Sequence, residues 1–242
     1  MIIRDARAAE LQVLRDIDVA TGQMFRDIGM PEIAEYDPWP LPDLEHSRAA
    51  GLLWVIPGEA GQPVAFLIRS TVDGCLHVDQ LSVDPGSARR GLGRALLEHA
   101  AQRAAAGAVP ALTLTTYAHV PWNAPYYVRC GFRILDDAEV TAGLWAIRQQ
   151  EAAIGLDRWP RVCMRRDIPA RALAGRVLDG RFEGGQREPA VVRPDDRAGG
   201  GDQGEPGLVL DLVAVGHPPG GVHPDREVQV GPQVGEVRRR AR

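Results

Sequence analysis

Apolar and polar residues repeat with two different periods before residue 169, and these periods predict strands and helices. Short apolar runs that stop at Gly, Pro or Asp turns are typical of strands, whereas apolar residues at helical spacing are typical of amphipathic helices. The predicted strands are 1–4, 51–56, 64–70, 75–83, 111–116, 132–135 and 161–165. The predicted helices are 8–20, 42–51, 91–106, 123–130 and 144–153. Three successive antiparallel strands followed by a strand–helix–strand unit predict an α/β fold, with a mixed, mostly antiparallel central sheet and helices on both faces.

The composition changes at about residue 170, after which the chain is rich in Gly, Pro, Arg, Asp and Glu. Phe182 is the only aromatic residue beyond that point, and only 208–215, LVLDLVAV, has the composition of a strand or short helix. Such a segment cannot bury enough apolar surface to offset the entropy lost on ordering. The sequence therefore predicts a folded domain at 1–169 and a disordered tail at 170–242.

Composition and charge narrow the classes of function. The chain is 45% hydrophobic and 25% charged, which is typical of a globular core. A formal net charge of -4 gives no argument for nucleic acid or an anionic membrane as a partner. No apolar run approaches the roughly 20 residues that span a bilayer, and the first residues do not resemble a signal peptide. The three widely spaced cysteines indicate reduced thiols in the cytoplasm and no metal site.

The stretch 81–100, LSVDPGSARRGLGRALLEHA, leads from a strand through a glycine-containing loop into a helix. The first amides of a helix have no internal partners, and the helix dipole is positive there. Gly91 and Gly93 lack a Cβ, so a ligand can approach the backbone closely. These features predict an anion site suited to phosphate. The residues assigned to it are Arg89, Arg90, Gly91, Leu92, Gly93 and Arg94. The alternative is an arginine-rich loop that serves solubility alone.

Two familiar phosphate-binding loops do not fit this stretch. The chain contains no lysine, which excludes a GxxxxGK[ST] loop. A GxGxxG loop is excluded as well, because Leu96 stands at the position of its third glycine.

A second stretch, VPWNAPYYVRCGF at 120–132, follows the next predicted strand. Taken with the glycine loop, it resembles the GNAT superfamily of N-acetyltransferases, and the resemblance extends over about residues 1–168. The phosphate loop of that family reads [Q/R]xxGx[G/A] between a strand and a helix. Gly91 and Gly93 match this loop, whereas Ala88 stands at its first position.

The second signature of the family is an Asn followed by a Tyr in a helix that ends at Gly-Phe. Asn123 and Tyr127 match the first two residues of this signature, and Gly131 and Phe132 match the last two. Val128 stands where an acidic residue is common in the family.

The resemblance implies that acetyl-CoA binds where two parallel strands separate. Its pantetheine arm is then expected to enter the gap and to pair with the backbone of Leu81 and Val83. Its pyrophosphate is expected on the amides of 89–94, where Arg89 or Arg90 replaces the contact of the first loop position.

The same resemblance places the thioester near the helix that bears Asn123 and Tyr127. Asn123 is expected to contact the cofactor. Tyr127 matches the residue that gives a proton to the departing thiolate, and its neighbour Tyr126 takes that role if the helix register shifts by one residue.

The general base has three candidates. Period-2 alternation predicts that His77 and Asp79 share one strand face with Leu81 and Val83, from which either can draw a proton through water. His119, just before Pro121 in the chain, is the third candidate or a residue of the acceptor entrance.

The segment 22–44 lies over the acceptor site in the family that the chain resembles. Its prolines exclude one continuous helix. Its mixture of aromatic and acidic residues suits a cationic amine with an apolar body. The alternative is a surface cover whose aromatic side chains fill the core.

Together these observations predict an acetyl-CoA-dependent N-acetyltransferase that uses neither a cysteine nucleophile nor a metal. The acetyl group is expected to pass directly, in a ternary complex, to the primary amine of a small molecule or peptide. Assembly as a homodimer is left open. The alternative function is a non-catalytic acyl-CoA-binding or regulatory module, which needs the loop but not the tyrosine or the base.

Overall fold

A computed structural model describes residues 1–169 as seven strands and six α-helices joined by 3₁₀ turns. The strands are β1 (Arg4–Asp5), β2 (Leu53–Pro57), β3 (Pro63–Val72), β4 (Cys75–Val83), β5 (Ala111–Tyr117), β6 (Arg133–Ile134) and β7 (Arg161–Asp167). The helices are α1 (Leu11–Gln23), α2 (Pro31–Ala34), α3 (Leu41–Ala49), α4 (Leu92–Ala106), α5 (Ala124–Arg129) and α6 (Ala142–Ala153). The predicted tail at 170–242 lies outside the described residues.

The seven strands form one sheet in the order β1-β2-β3-β4-β5-β7-β6. β4 and β5 are parallel, and every other neighbouring pair in this sheet is antiparallel. Helix α4 makes the crossover that a parallel pair requires. The predicted mixed, mostly antiparallel sheet is therefore confirmed. None of the helices within 1–169 is both long and apolar enough to cross a membrane.

Helices cover both faces of the sheet, as predicted. One face packs against α4 and α5, and this cluster centres on Val78, Leu81, Leu96, Leu97 and Leu114. The opposite face packs against α1 and α3, and this cluster centres on Leu14, Ile17, Leu44, Val55 and Phe66. Helix α6 covers the second face further along, where the Thr115 hydroxyl donates to the Glu151 carboxylate.

The segment 22–44 is broken by its prolines, as the sequence predicts. It contains the end of α1, a 3₁₀ turn at Met24–Ile28, α2 and the start of α3. Phe25 and Trp39 are buried among apolar neighbours, so these two aromatic side chains contribute to the core.

β4 and β5 separate soon after they begin to pair. Their ladder consists of Leu76 opposite Leu112 and His77 opposite Thr113. β4 nevertheless continues to Val83, and β5 continues well beyond Thr113. The two strands therefore enclose a gap that widens toward their carboxyl ends.

A β-bulge at Asp79 changes which residues of β4 face each side of the sheet. Gln80 lies opposite Ile68 and Val78 lies opposite Arg69, so Asp79 is an extra residue without a partner in β3.

The bulge overturns one prediction. Leu81 and Val83 pack with α4 on the same face as Val78, whereas His77 pairs through its side chain with Thr113. The expectation that His77 and Asp79 share a face with Leu81 and Val83 is therefore wrong, because the inserted residue shifts the alternation by one.

Candidate active site

Backbone polar groups of β4 face the gap beside it. The Asp84 amide donates to the Val64 carbonyl over 2.8 Å, so Val83 and Ala65 form a non-hydrogen-bonded pair of the β3–β4 ladder. The alternation of an antiparallel ladder gives Leu81 the same orientation. The N–H and C=O groups of Leu81 and Val83 therefore point away from β3, toward the side on which β5 has diverged.

Backbone groups in such a position need hydrogen-bond partners. The Thr21 hydroxyl in α1 reaches the Val83 carbonyl over only a long contact of 3.4 Å, whereas it donates to the Ile17 carbonyl over 2.7 Å. An extended ligand that contains amides can complete this edge as an added strand would.

The loop after β4 brings positive charge to the wide end of the gap. A 3₁₀ turn at Pro85–Ser87 leads the chain away from β4. Arg89 and Gly91 have φ angles of 60° and 72°, in the left-handed region, and these turn the backbone into α4. Arg89, Arg90 and Arg94 are exposed around the helix N-terminus. Helix dipole and guanidinium groups together suit a diphosphate.

The two loop glycines have different roles. A Cβ on Gly91 would meet nothing within 4 Å, so the space beside it is open, and its positive φ favours glycine. A Cβ on Gly93 would lie 2.8 Å from the Tyr126 hydroxyl oxygen and 3.7 Å from a Leu81 methyl carbon. The missing side chain of Gly93 therefore makes room for Tyr126 rather than for a ligand, and it lets α5 pack against α4.

Asn123 lies at the N-cap of α5 and is fully buried. Its Nδ2 donates to the Thr116 hydroxyl of β5 over 2.7 Å. This hydrogen bond ties the start of α5 to the part of β5 that has diverged from β4. The structure thus gives Asn123 a role in placing α5.

Tyr127 contributes a buried hydroxyl group to the core beneath the gap. Its ring packs edge-on against Tyr126 and Phe132, with centroid distances of 5.7 and 5.5 Å. The hydroxyl has no hydrogen-bond partner among the described residues. Burial raises the pKa of Tyr127 well above its ordinary value, so the hydroxyl keeps its proton. A buried polar group of this kind is costly unless a ligand or water satisfies it.

Asp79, at the bulge, has a buried carboxyl group. The Ser70 hydroxyl donates to its Oδ1 over 2.9 Å, whereas Oδ2 has no partner within 1–169. Burial raises the pKa of Asp79 to about 7, against the smaller opposing effect of the Ser70 hydrogen bond. This carboxyl therefore changes charge near neutral pH, which suits a general base.

His77 lies at the closed end of the gap. It is buried, and its Nδ1 lies 3.0 Å from the Thr113 hydroxyl oxygen, in the last paired register of β4 and β5. The structure thus places His77 where the two strands are still joined, and Asp79 nearer the point at which they open.

A hydrogen-bonded group that the sequence analysis missed joins α1, β4 and the segment before α3. Gln80 Nε2 donates to Asp18 Oδ1 over 2.9 Å and to the Ser82 hydroxyl over 2.8 Å. Asp18 Oδ2 accepts from the Trp39 backbone amide over 3.2 Å. Burial raises the pKa of Asp18 to about 6. Its spacing in α1 gives no signal of this role, because only the fold brings β4 beside it.

A buried ion pair was also missed. Arg161 of β7 donates to Glu151 of α6 from Nε over 3.0 Å and from Nη2 over 2.7 Å. The guanidinium carbon lies 4.4 Å from the centroid of the Tyr117 ring. Burial acts to raise the pKa of Glu151, but Arg161 together with Thr115 and Arg148 outweighs burial and holds that pKa below its ordinary value. The pair supports the Tyr117 ring at the carboxyl end of β5.

A cleft of about 370 Å³ opens beside that end of β5. It is lined by Ile28, Met30, Tyr117, His119, Val120, Pro121, Trp159 and Pro160. Ile28 and Met30 come from the segment 22–44, and His119 is the third candidate for the base. The structure therefore separates His119 from His77 and Asp79, which lie along β4.

Metal ligands and reactive thiols are the groups that two other kinds of chemistry would need. No cluster of three or more His, Cys, Asp or Glu residues that could hold a metal ion occurs in the described part of the chain. Cys75, Cys130 and Cys163 are buried and form no disulfide, and burial raises the pKa of Cys163 to about 11.

Comparisons with known proteins agree on one family. The model of the family described as "Acetyltransferase (GNAT) family" matches residues 15–132. Peptidyl-lysine N-acetyltransferase YjaB of Escherichia coli (strain K12) is 34% identical over 88 residues, which cover 36% of this chain and 54% of YjaB. The chain thus spans about half the length of this curated relative.

Solved structures share the fold at low sequence identity. A GNAT-family acetyltransferase from Staphylococcus aureus Mu50 superimposes with a TM-score of 0.52 at 13% identity, over 69% of this chain and 99% of that one. The PaiA N-acetyltransferase from Thermoplasma acidophilum, in complex with coenzyme A, superimposes with a TM-score of 0.51 at 14% identity. The superposition covers 69% of this chain and 98% of that one. The family match at residues 15–132, the relative and the shared fold agree with the geometry of the gap and loop, and together they support the GNAT superfamily for this domain.

Proposed function

We propose that the domain transfers the acetyl group of acetyl-CoA to the primary amine of an acceptor while both substrates are bound. The observation that carries this proposal is the early end of the β4–β5 ladder, beside the N-terminus of α4. The edge of β4 beyond the ladder suits the amides of a pantetheine arm, and the helix end suits a diphosphate. Both chemical parts of acetyl-CoA thus find matching groups at one place.

In this proposal the backbone of Leu81 and Val83 pairs with the pantetheine amides. The diphosphate lies on the amides of 89–94, and the exposed arginines of that loop neutralise its charge. Asn123 already donates to Thr116, so its contribution is to hold α5 in place beside the cofactor.

We assign the general base to Asp79. Its Oδ2 lacks a partner in the described residues, and its pKa of about 7 leaves much of it ionised at neutral pH. His77 is the weaker candidate, because its Nδ1 is engaged by Thr113 at the closed end of the gap. The bulge leaves Asp79 without a partner in β3, so its carboxyl is not fixed by the regular alternation of the ladder.

We assign the general acid to Tyr127, whose hydroxyl stays protonated and has no partner among the described residues. The hydroxyl of Tyr126 instead lies against Gly93 in the first turn of α4. The amine nitrogen attacks the thioester carbon and loses a proton to Asp79 through water. The C–S bond then breaks, and the thiolate takes the Tyr127 proton.

Direct transfer is favoured over a cysteine intermediate. The thiols of all three cysteines are buried, and the raised pKa of Cys163 keeps that thiol protonated. Cysteines without a disulfide also fit the reducing cytoplasm, which we propose as the compartment. A non-catalytic acyl-CoA-binding module would need the loop, but it would gain nothing from a buried carboxyl oxygen at Asp79 and a buried hydroxyl at Tyr127 that lack partners within 1–169.

The proposed function is tested by measuring free CoA released from acetyl-CoA in the presence of a panel of primary amines. We expect amine-dependent release, together with a rise in melting temperature when acetyl-CoA is added. Saturation at 100 times Kd stabilises the folded state by about 2.7 kcal/mol. A melting shift without release for any amine would favour the binding module, and no shift at all would contradict both functions.

Tyr127→Phe removes the proposed acid but keeps the ring that packs with Phe132. We expect kcat to fall by about 100-fold or more, because a general acid typically contributes about 10²–10⁴-fold, while acetyl-CoA affinity stays unchanged. Tyr126→Phe is the matched control and should retain kcat. The opposite result in steady-state kinetics would assign the role to Tyr126.

The assignment of Asp79 predicts a particular pH dependence. A base acts only when ionised, so kcat/KM should rise with pH through a midpoint of about 7, in addition to the ionisation of the amine. Asp79→Asn should abolish this rise of kcat/KM with pH. Ser70→Ala removes a hydrogen bond that lowers the pKa of Asp79, so it should move the midpoint to higher pH. If Ser70→Ala leaves the midpoint of the rise in kcat/KM unchanged, the titration belongs to a group other than Asp79.

A further inference from the structure

We propose that the cleft beside the carboxyl end of β5 selects acceptors whose primary amine is attached to an apolar group about the size of an aromatic ring. This inference rests on the proposed function and names its substrate class. The residues that set the preference are the two aromatic side chains of the cleft, Tyr117 and Trp159.

The position of the cleft connects it to the reaction. Tyr117 is the last residue of β5 and belongs to a cluster with Phe25 and Trp122. Ala88, in the loop that follows β4, packs against the same cluster. The cluster thus joins the two strands at the wide end of their gap, and the cleft lies on it. A group held in the cleft can direct an attached amine into the gap.

The size of the cleft suits a ring. An apolar cavity of about 150 Å³ is sufficient to bind benzene, and the cleft encloses about 370 Å³. It therefore has room for an aromatic ring and the short chain that carries the amine.

The chemistry of the lining excludes charged acceptor bodies. His119 is the only titratable group of the lining other than the tyrosine, and no carboxylate or guanidinium of 1–169 is among the lining residues. The acidic residues of the segment 22–44 were expected to attract a cation, but Glu32 pairs with Arg158 and Glu35 pairs with Arg26. A polyamine would thus find no carboxylate among the lining residues, and Glu32 and Glu35 nearby are already paired, whereas an apolar body would gain from leaving water.

The aromatic walls are held in place before a ligand binds. Tyr117 packs edge-on against Phe25 at 5.7 Å and against Trp159 at 6.4 Å between ring centroids. The guanidinium of Arg161 lies against the Tyr117 ring, and that of Arg158 lies 5.1 Å from the centroid of the Trp159 ring. A preformed wall loses little entropy on binding and therefore discriminates by shape.

The test compares kcat/KM for 2-phenylethylamine, ethylamine and spermidine with acetyl-CoA at saturation. We expect 2-phenylethylamine to exceed ethylamine by about 100-fold or more, since one methylene in an apolar pocket is worth about 10–200-fold. Spermidine should be no better than ethylamine. A tetrapeptide with N-terminal Phe and another with N-terminal Gly separate a peptide source of the apolar group from a small-molecule source.

Two substitutions in the lining, each with a matched control, test whether the cleft sets the preference for apolar acceptors. Trp159→Ala should reduce the ratio of 2-phenylethylamine to ethylamine by about 10-fold or more, and Trp159→Phe should restore most of it. Ile28→Glu places a carboxylate at a lining position that is 39% exposed and should shift the preference toward spermidine. Val19→Glu adds the same charge to an exposed site of α1 outside the lining, and it should leave the ratio unchanged.

Two results would overturn the inference in different ways. Acetylation of amines without preference for apolar bodies, or an unchanged ratio in both Trp159→Ala and Ile28→Glu, would contradict the substrate class and leave the proposed function in place. No acetylation of any amine by acetyl-CoA-bound protein would contradict the proposed function, and the inference would fall with it.

Discussion

Backbone hydrogen bonding along β4 is the constraint on which the site depends. A buried amide or carbonyl without a partner costs about 1–3 kcal/mol, so strands of a sheet normally remain paired to their ends. β4 leaves β5 after His77 and then presents Leu81 and Val83 to a gap. The gap is stable because β3 pairs with β4 along nearly its whole length, while α4, α5 and α1 cover the faces beside it. A ligand that contains amides suits the edge of β4 that lies beyond the ladder.

The bulge and the glycine loop place different functional groups on the two sides of this edge: a carboxyl at the bulge and a tyrosine hydroxyl beside the loop. The inserted residue, Asp79, keeps the apolar side chains of β4 directed at α4 and gives a carboxyl an environment in which its pKa is about 7. On the α4 side, the absence of a side chain at Gly93 lets Tyr126 pack against α4. This contact positions α5, so that Tyr127 lies beneath the gap. The proposed proton acceptor, Asp79, and the proposed proton donor, Tyr127, thus belong to different elements.

Much of this arrangement could be predicted from local sequence signals. Hydrophobic periods and turn residues placed the strands and helices, and the loop together with Tyr127 indicated the family. The apolar positions Leu76, Val78, Leu81 and Val83 even contain the signal of the bulge, since their spacing changes from two to three and back to two. Contacts between distant elements, such as that of Gly93 with Tyr126, carry no such local signal, because they arise only from tertiary packing.

The most direct test of the account is amide hydrogen exchange along β4, measured by NMR with and without coenzyme A. The account predicts that the amides of Leu81 and Val83 exchange more slowly when coenzyme A binds, because the pantetheine supplies their missing partners. The amide of Ser82, which faces β3, is the internal control and should change little. Coenzyme A binding that leaves the exchange of Leu81 and Val83 unchanged would contradict the account.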